Sequence, residues 1–322
     1  MTTSRVALLI GGPARLHNAS LSAASDILEL PSMQLASLHP ILITPRGQWR
    51  LYSSGLGYAA DTPQQVLESH QILTQLPFLY DAAFITLVGE FASDGQLQRM
   101  LDRAGMPYQG SGSRASARTW DRARLFQFLR RVGFHIPSYL ALNRAEWVVA
   151  RGRKLRQLIA AMGLDLIVKP NSRIDETEYR TDSQAELADA IEEVSVRYDS
   201  FIVQRRLKGM RVWCGVIEAE TGAVPGQPIT DSDMVFAPEV ALALQRVALQ
   251  IHQVLKLRDY SLVEMMIAHG RIWIIDVETL PHLGSDSFYV RSVMELGWRY
   301  PDVISHLIGR ALSRPEVIEL HT

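Results

Sequence analysis

The sequence predicts an α/β protein whose N-terminal part is a doubly wound, largely parallel sheet. Two patterns carry this expectation. The short apolar runs Val6–Ile10, Leu38–Thr44 and Ala82–Leu87 alternate with helical segments, the strand–helix–strand order from which parallel sheets are built. The first run also ends in Gly11-Gly12-Pro13, a glycine turn after a continuous apolar strand.

Taken in order, a helix is expected over Ser20–Leu30, with Leu21, Ala24, Ile27 and Leu28 on one face. Thr62-Pro63-Gln64-Gln65 reads as a helix start, with a Thr cap, Pro at the first position and Gln three residues after the cap. Another helix runs through Leu97, Met100 and Leu101, and the turn-rich Gly105–Gly112 closes this first domain. Ligands of such sheets bind at the carboxyl ends of strands, so Gly11–His17 and Val88–Gly95 should border a site. Beyond it come a helix near Arg122–Val132, an extended stretch Ile136–Leu142 and a strand Leu164–Lys169. Ser183-Gln-Ala-Glu186 is a capping box opening a helix striped by Leu187, Ile191 and Val194. The last part holds strands Phe201–Gln204 and Arg211–Ala219 and a helix Pro238–Leu255. Strands Ser261–Ile267 and Arg271–Val277 follow, joined by the hairpin turn Ala268-His269-Gly270.

With 322 residues, 47% of them hydrophobic, the chain should form two or three compact units. The formal net charge of −1, from 33 basic and 34 acidic residues, creates no uniform field and argues against nucleic acid or an anionic membrane as partner. Val6–Ile10 is too short to be a signal or a membrane span, so a soluble, cytoplasmic protein is expected. The single cysteine, Cys214, suits a reducing compartment and reads as a buried, inert thiol.

The C-terminal hairpin carries the densest chemistry. Asp276 and Glu278 are two apart on a strand and share a face, and Glu264 falls near them if the hairpin pairs about its turn. Three carboxylates among apolar residues repel one another unless a hard cation lies between them, which points to magnesium with nucleotide phosphates. They could instead face solvent on an open sheet face. Lys169, at the end of an apolar strand and followed by Pro170, can extend an ammonium to a phosphate, or sit on an edge strand.

In this order, with Asp276-Val-Glu-Thr-Leu-Pro281 at the end, these elements resemble the ATP-grasp superfamily, most closely the D-alanine–D-alanine ligases. The resemblance extends through Leu87-Val-Gly-Glu-Phe-Ala-Ser-Asp-Gly95, Gly105-Met-Pro-Tyr-Gln-Gly-Ser-Gly-Ser-Arg-Ala-Ser-Ala117 and Asp121-Arg122. It implies an ATP-grasp fold of three domains: an N-terminal pre-ATP-grasp domain over 1–113, a central domain over 114–200 and a C-terminal domain over 201–322. It further implies ATP and magnesium, small-molecule substrates such as an amino acid and an amine, a homodimer, and a link to peptidoglycan precursors. By resemblance, Lys169 and Arg122 contact phosphates, Gln204, Arg205 and Leu207 lie in the adenine hinge, and Glu264, Asp276 and Glu278 hold the metal. Ser287 corresponds to the residue binding the second substrate's carboxylate.

Several departures fall on chemistry. Leu16 stands where the ligases hold the first ammonium with Glu, Leu262 where an Arg stabilises the oxyanion, and His282 where a Gly assists it. Arg211 reverses the charge of the ribose-binding Glu, and Glu278 replaces the usual Asn. His282 or Arg173 could return positive charge to the acyl centre. The resemblance and its departures thus imply an ATP-dependent carboxylate–amine ligase with altered substrate, or a descendant that binds nucleotide or partner without ligating.

Overall fold

The structure is a computed structural model that describes residues 3–12, 16–30, 36–52, 63–174, 177–232 and 234–314. The chain folds as two compact units, one of 1–117, 213–263 and 277–322, the other of 118–212 and 264–276.

The first unit opens with β1 (Ser4–Gly11), α1 (His17–Leu28), β2 (Ala36–Ile43), β3 (Trp49–Leu51), β4 (Gln65–Leu67), α2 (Ser69–Leu79), β5 (Ala82–Ile85) and α3 (Gln96–Ala104). Its five-stranded sheet has the order β4-β3-β2-β1-β5. β1 is parallel to both β2 and β5, so the apolar run at Val6–Ile10 is buried on both faces, as its continuous hydrophobicity requires. The outer pairings β2–β3 and β3–β4 are antiparallel, so the sheet is mixed rather than largely parallel.

The helix expected to start at Thr62-Pro63 begins later. Thr62 lies outside the described residues, while Gln65 and Leu67 pair with Leu51 and Trp49 as β4. The cap is instead Glu68, whose backbone N–H donates to the Gln71 side chain at 3.0 Å. Strand pairing that buries Leu67 beside Trp49 outweighs the local Thr-Pro start signal.

Next come α4 (Ser113–Trp120), α5 (Arg122–Arg131), β6 (Tyr139–Asn143), α6 (Arg144–Met162), β7 (Leu166–Pro170), β8 (Tyr179–Thr181), α7 (Gln184–Arg197) and β9 (Ser200–Arg205). From α5 to β9 they belong to the second unit, whose sheet has the order β6-β9-β7-β8 with every pairing antiparallel. One face of this sheet packs on α6 and α7 through Leu166, Val168, Phe201, Val203, Trp147, Leu158, Leu187 and Ile191. Each such aliphatic side chain, once fully buried, contributes about 1.5–3 kcal/mol. Ser183 caps α7 as expected, its hydroxyl accepting from the Glu186 N–H at 3.2 Å.

β10 (Met210–Ala219), β11 (Gly222–Pro225), α8 (Pro238–Val254), β12 (Tyr260–Ala268) and β13 (Arg271–Glu278) follow, then α9 (Phe288–Met294) and α10 (Tyr300–Leu312). Their strands form a sheet of order β11-β10-β12-β13. The β12–β13 turn places His269 at φ 51° and Gly270 at φ 69°, the left-handed pair that tight hairpins demand. Cys214 is fully buried in β10, and burial alone pushes its thiol up to about 12.

Candidate functional site

Strand alternation builds the site. Leu166 and Val168 enter the core of the second unit, so Lys169 projects from the opposite face of β7. That face borders a cavity of about 460 Å³, enclosed within the second unit by Arg122, Lys169, Arg173, Arg180, Arg211 and Glu264, with Glu178 and Asp276. Five cationic side chains thus face three carboxylates. The surplus of positive charge suits a polyanion.

Arg122, at the first position of α5, is the most constrained cation. Its Nη1 donates to the carbonyls of Pro170 and Ser172, each at 2.9 Å, fixing the guanidinium against the end of β7. Its Nε and Nη2 reach Asp276 Oδ2 at 3.0 and 2.9 Å. Arg173 Nη1 approaches the same oxygen at 3.3 Å. Opposite, Arg211 Nε lies 3.0 Å from Glu264 Oε1 and its Nη2 3.7 Å from Glu178 Oε2. The charge reversal at position 211 therefore has a local partner in Glu264.

Burial pulls the Lys169 ammonium down to about 8, and Arg122 adds repulsion while Asp276, Glu264 and Glu178 oppose the shift. Burial also raises the Glu264 carboxyl above its ordinary range, against the attraction of Arg211. An entering anion would favour the charged form of Lys169 and offset that desolvation.

Gln204 lies on the same face as Lys169, because Lys169 pairs with Ile202 two residues earlier on β9. Its side chain is buried and Oε1 has no hydrogen-bond partner among the described residues. Arg205 and Leu207 border a second cavity of the same unit, about 520 Å³, with Ser138, Leu164, Lys208 and Trp273. The expected phosphate residues Arg122 and Lys169 thus line one cavity of this unit, and the hinge residues Arg205 and Leu207 another.

The expected metal ligands are arranged differently. Glu264 and Asp276 line the cation-rich cavity, each ion-paired to arginine, whereas Glu278 belongs to the first unit. Among the described residues, no three His, Cys, Asp or Glu side chains are grouped to hold a metal ion. Asp276, held by two guanidinium groups, and a single further carboxylate, Glu264, beside Arg211 are a poor donor set for magnesium, which needs near-octahedral oxygen ligation. The residues present therefore do not fit a resident magnesium ion.

His282 and Ser287, both in the first unit, make structural contacts. The His282 ring bonds the Ala19 carbonyl through Nε2 at 2.8 Å, and its Nδ1 accepts from the Gly284 N–H at 3.3 Å. Ser287 caps α9, accepting from the Val290 N–H at 3.3 Å. Leu262 is buried in the hydrophobic core of that unit. Sequence reasoning missed Glu178 and Arg180, which follow the Lys169 strand on a short segment with no motif of its own. The alternation Glu178-Tyr-Arg180-Thr181 was the available signal.

Family models of the D-ala D-ala ligase N-terminus and C-terminus match residues 5–111 and 230–309. A D-alanine–D-alanine ligase from Nitratidesulfovibrio vulgaris is 31% identical over 249 residues, covering 71% of this chain and 80% of the relative. The chain belongs to the D-alanine–D-alanine ligase family. The ligase-family member of Streptomyces griseus is 26% identical and spans 96% of this chain and 93% of its own. The D-alanine–D-alanine ligase structure from Coxiella burnetii superposes with a TM-score of 0.84 at 20% identity, covering 97% of this chain and 96% of that one. A D-Ala:D-Ser ligase from Enterococcus faecalis gives 0.80 at 20% identity, over 96% and 100%. The family chain accordingly has the ATP-grasp fold, and it is an enzyme of the ligase class. No helix among its described residues is long and apolar enough to cross a membrane.

Proposed function

We propose that this family member is an ATP-dependent carboxylate–amine ligase working through an acylphosphate, on substrates that differ from two D-alanines. The observation that carries the reading is the cavity where Lys169, Arg122 and Arg173 converge. Such a cluster can neutralise a transferring phosphoryl group, and the buried Gln204 Oε1 offers an acceptor for an exocyclic amine such as adenine's. A similar chain, the D-alanine–D-alanine ligase from Bacillus anthracis, was determined with ATP.

In this reaction a substrate carboxylate oxygen attacks the γ-phosphorus and ADP departs. The amine of the second substrate then attacks the acyl carbon, and inorganic phosphate leaves as the amide forms. Lys169 holds charge on the phosphoryl oxygens, while Arg122, locked to Pro170 and Ser172, keeps Asp276 and the strand end in register. Leu16 and Leu262 supply neither the ammonium partner nor the oxyanion donor of the ligases. That supports a first substrate not recognised by an α-ammonium group, and a homodimer acting on peptidoglycan-type precursors in the cytoplasm remains part of the proposal by family membership.

The test is ADP formation by the full chain with a panel of amino acids, hydroxy acids and short peptides. Substrate-dependent turnover, lost in Lys169→Ala, supports the ligase. No ADP with any pair would overturn it, and D-alanine as the preferred substrate at both positions would overturn the altered specificity.

A further inference from the structure

The ion pairs around the cation-rich cavity point away from the metal chemistry that an ATP-grasp site implies. Asp276 Oδ2 is approached by both Arg122 and Arg173, and Glu264 by Arg211. Asp276 is therefore neutralised by guanidinium groups, while Glu264 lies beside Arg211 with an Oε1 that accepts no hydrogen bond among the described residues. The lining still keeps five cationic side chains against three acidic ones. Placing a divalent cation beside them would set like charges against one another within a partly enclosed space, whereas a polyphosphate would be attracted by the surplus of five cationic over three acidic side chains.

Geometry agrees with charge. Arg122 is buried and held by four contacts, so it costs little further ordering when an anion enters. Arg173, 21% exposed, lines the cavity beside Asp276 and can turn its planar fork toward phosphate oxygens. Arg211, 34% exposed, is in a similar position beside Glu264 and Glu178.

We propose that this cavity binds the polyphosphate of a nucleoside triphosphate without a divalent cation, with Arg122, Arg173 and Arg211 supplying the neutralising charge. The inference rests on the nucleotide part of the function proposed above. It also makes Asp276 an orienting partner for arginines rather than a ligand for metal.

The experiment is calorimetric titration of the full chain with ATP, once in EDTA and once in excess magnesium. Affinity in EDTA equal to or tighter than in magnesium is the expected result, with Arg173→Ala weakening EDTA binding about tenfold, the equivalent of 1.4 kcal/mol. Asp276→Asn, checked for its fold by circular dichroism, should retain or tighten ATP binding in EDTA, because the arginines lose a competing anion. Glu264→Gln serves the same purpose should Asp276→Asn fail to fold. Binding seen only with magnesium, and lost in either carboxylate variant, would overturn the inference and leave the nucleotide site standing. Binding in neither condition would overturn both.

Discussion

Arg122 and Asp276, 154 positions apart in the chain, meet through two guanidinium nitrogens on one carboxylate oxygen at 3.0 and 2.9 Å, with both side chains almost wholly buried. The pair joins the start of α5 to β13 within the second unit. Removing Arg122 takes from the buried Asp276 the nearer of two guanidinium partners, with Arg173 remaining at 3.3 Å. Arg122→Ala is expected to cost about 3 kcal/mol in urea unfolding, the low end for breaking a buried pair, and Arg122→Met distinctly less because its stem still fills the space. Equal stability of wild type and Arg122→Ala would show the pair contributes nothing.

Lys169→Ala should lower any ligase turnover on the order of 10²–10³-fold with little change in stability. The side chain is desolvated and flanked by Arg122, so its removal relieves repulsion as well as burial. Steady-state ADP formation beside thermal unfolding separates the two effects.

Glu218 governs an acid-sensitive part of the first unit. The hydrogen bond to His252 leads the effects that lower its carboxyl to about 2 from the ordinary 4.5, with the Asp259 backbone and Arg310 assisting. A depressed folded value means the stabilisation is complete above about 4.5 and disappears as pH falls toward about 2. Glu218→Gln should flatten the pH dependence of urea midpoints across that window; an unchanged slope would assign acid sensitivity to other groups.

His282→Ala should leave ATP affinity unaltered and lower the stability of the first unit by about 1 kcal/mol, the typical net worth of a hydrogen bond such as that to Ala19. A large loss of turnover at unchanged stability would return His282 to the chemistry.

Ser183→Ala removes the α7 cap and should cost about 1 kcal/mol, read by thermal unfolding.

Local signals were legible where one interaction decides the outcome. The continuous run Val6–Ile10, the Ser183 cap and the turn at His269-Gly270 all occur as the residues indicate, although the Glu186 side chain accepts from the Asp182 N–H rather than closing a box on Ser183. The Thr62-Pro63 start failed because Leu67 finds Trp49 across a sheet, a long-range gain invisible in a window of four residues. At the site, Lys169 could be read from its strand, since alternation forces its side chain away from the Val168 core. The pairing of Asp276 with Arg122 could not, because it depends on tertiary approach between residues 154 positions apart. The same limit hid Arg180 and Glu178.

The lone thiol of Cys214 has a practical consequence. With no accessible surface and a thiol raised to about 12, it cannot present thiolate to a disulfide reagent while β10 stays closed. Its modification rate therefore becomes a clock for opening of the structure around that strand, with a single reactive atom and no background. Any molecule that tightens the first unit should slow the clock, and any acid-induced loosening should speed it.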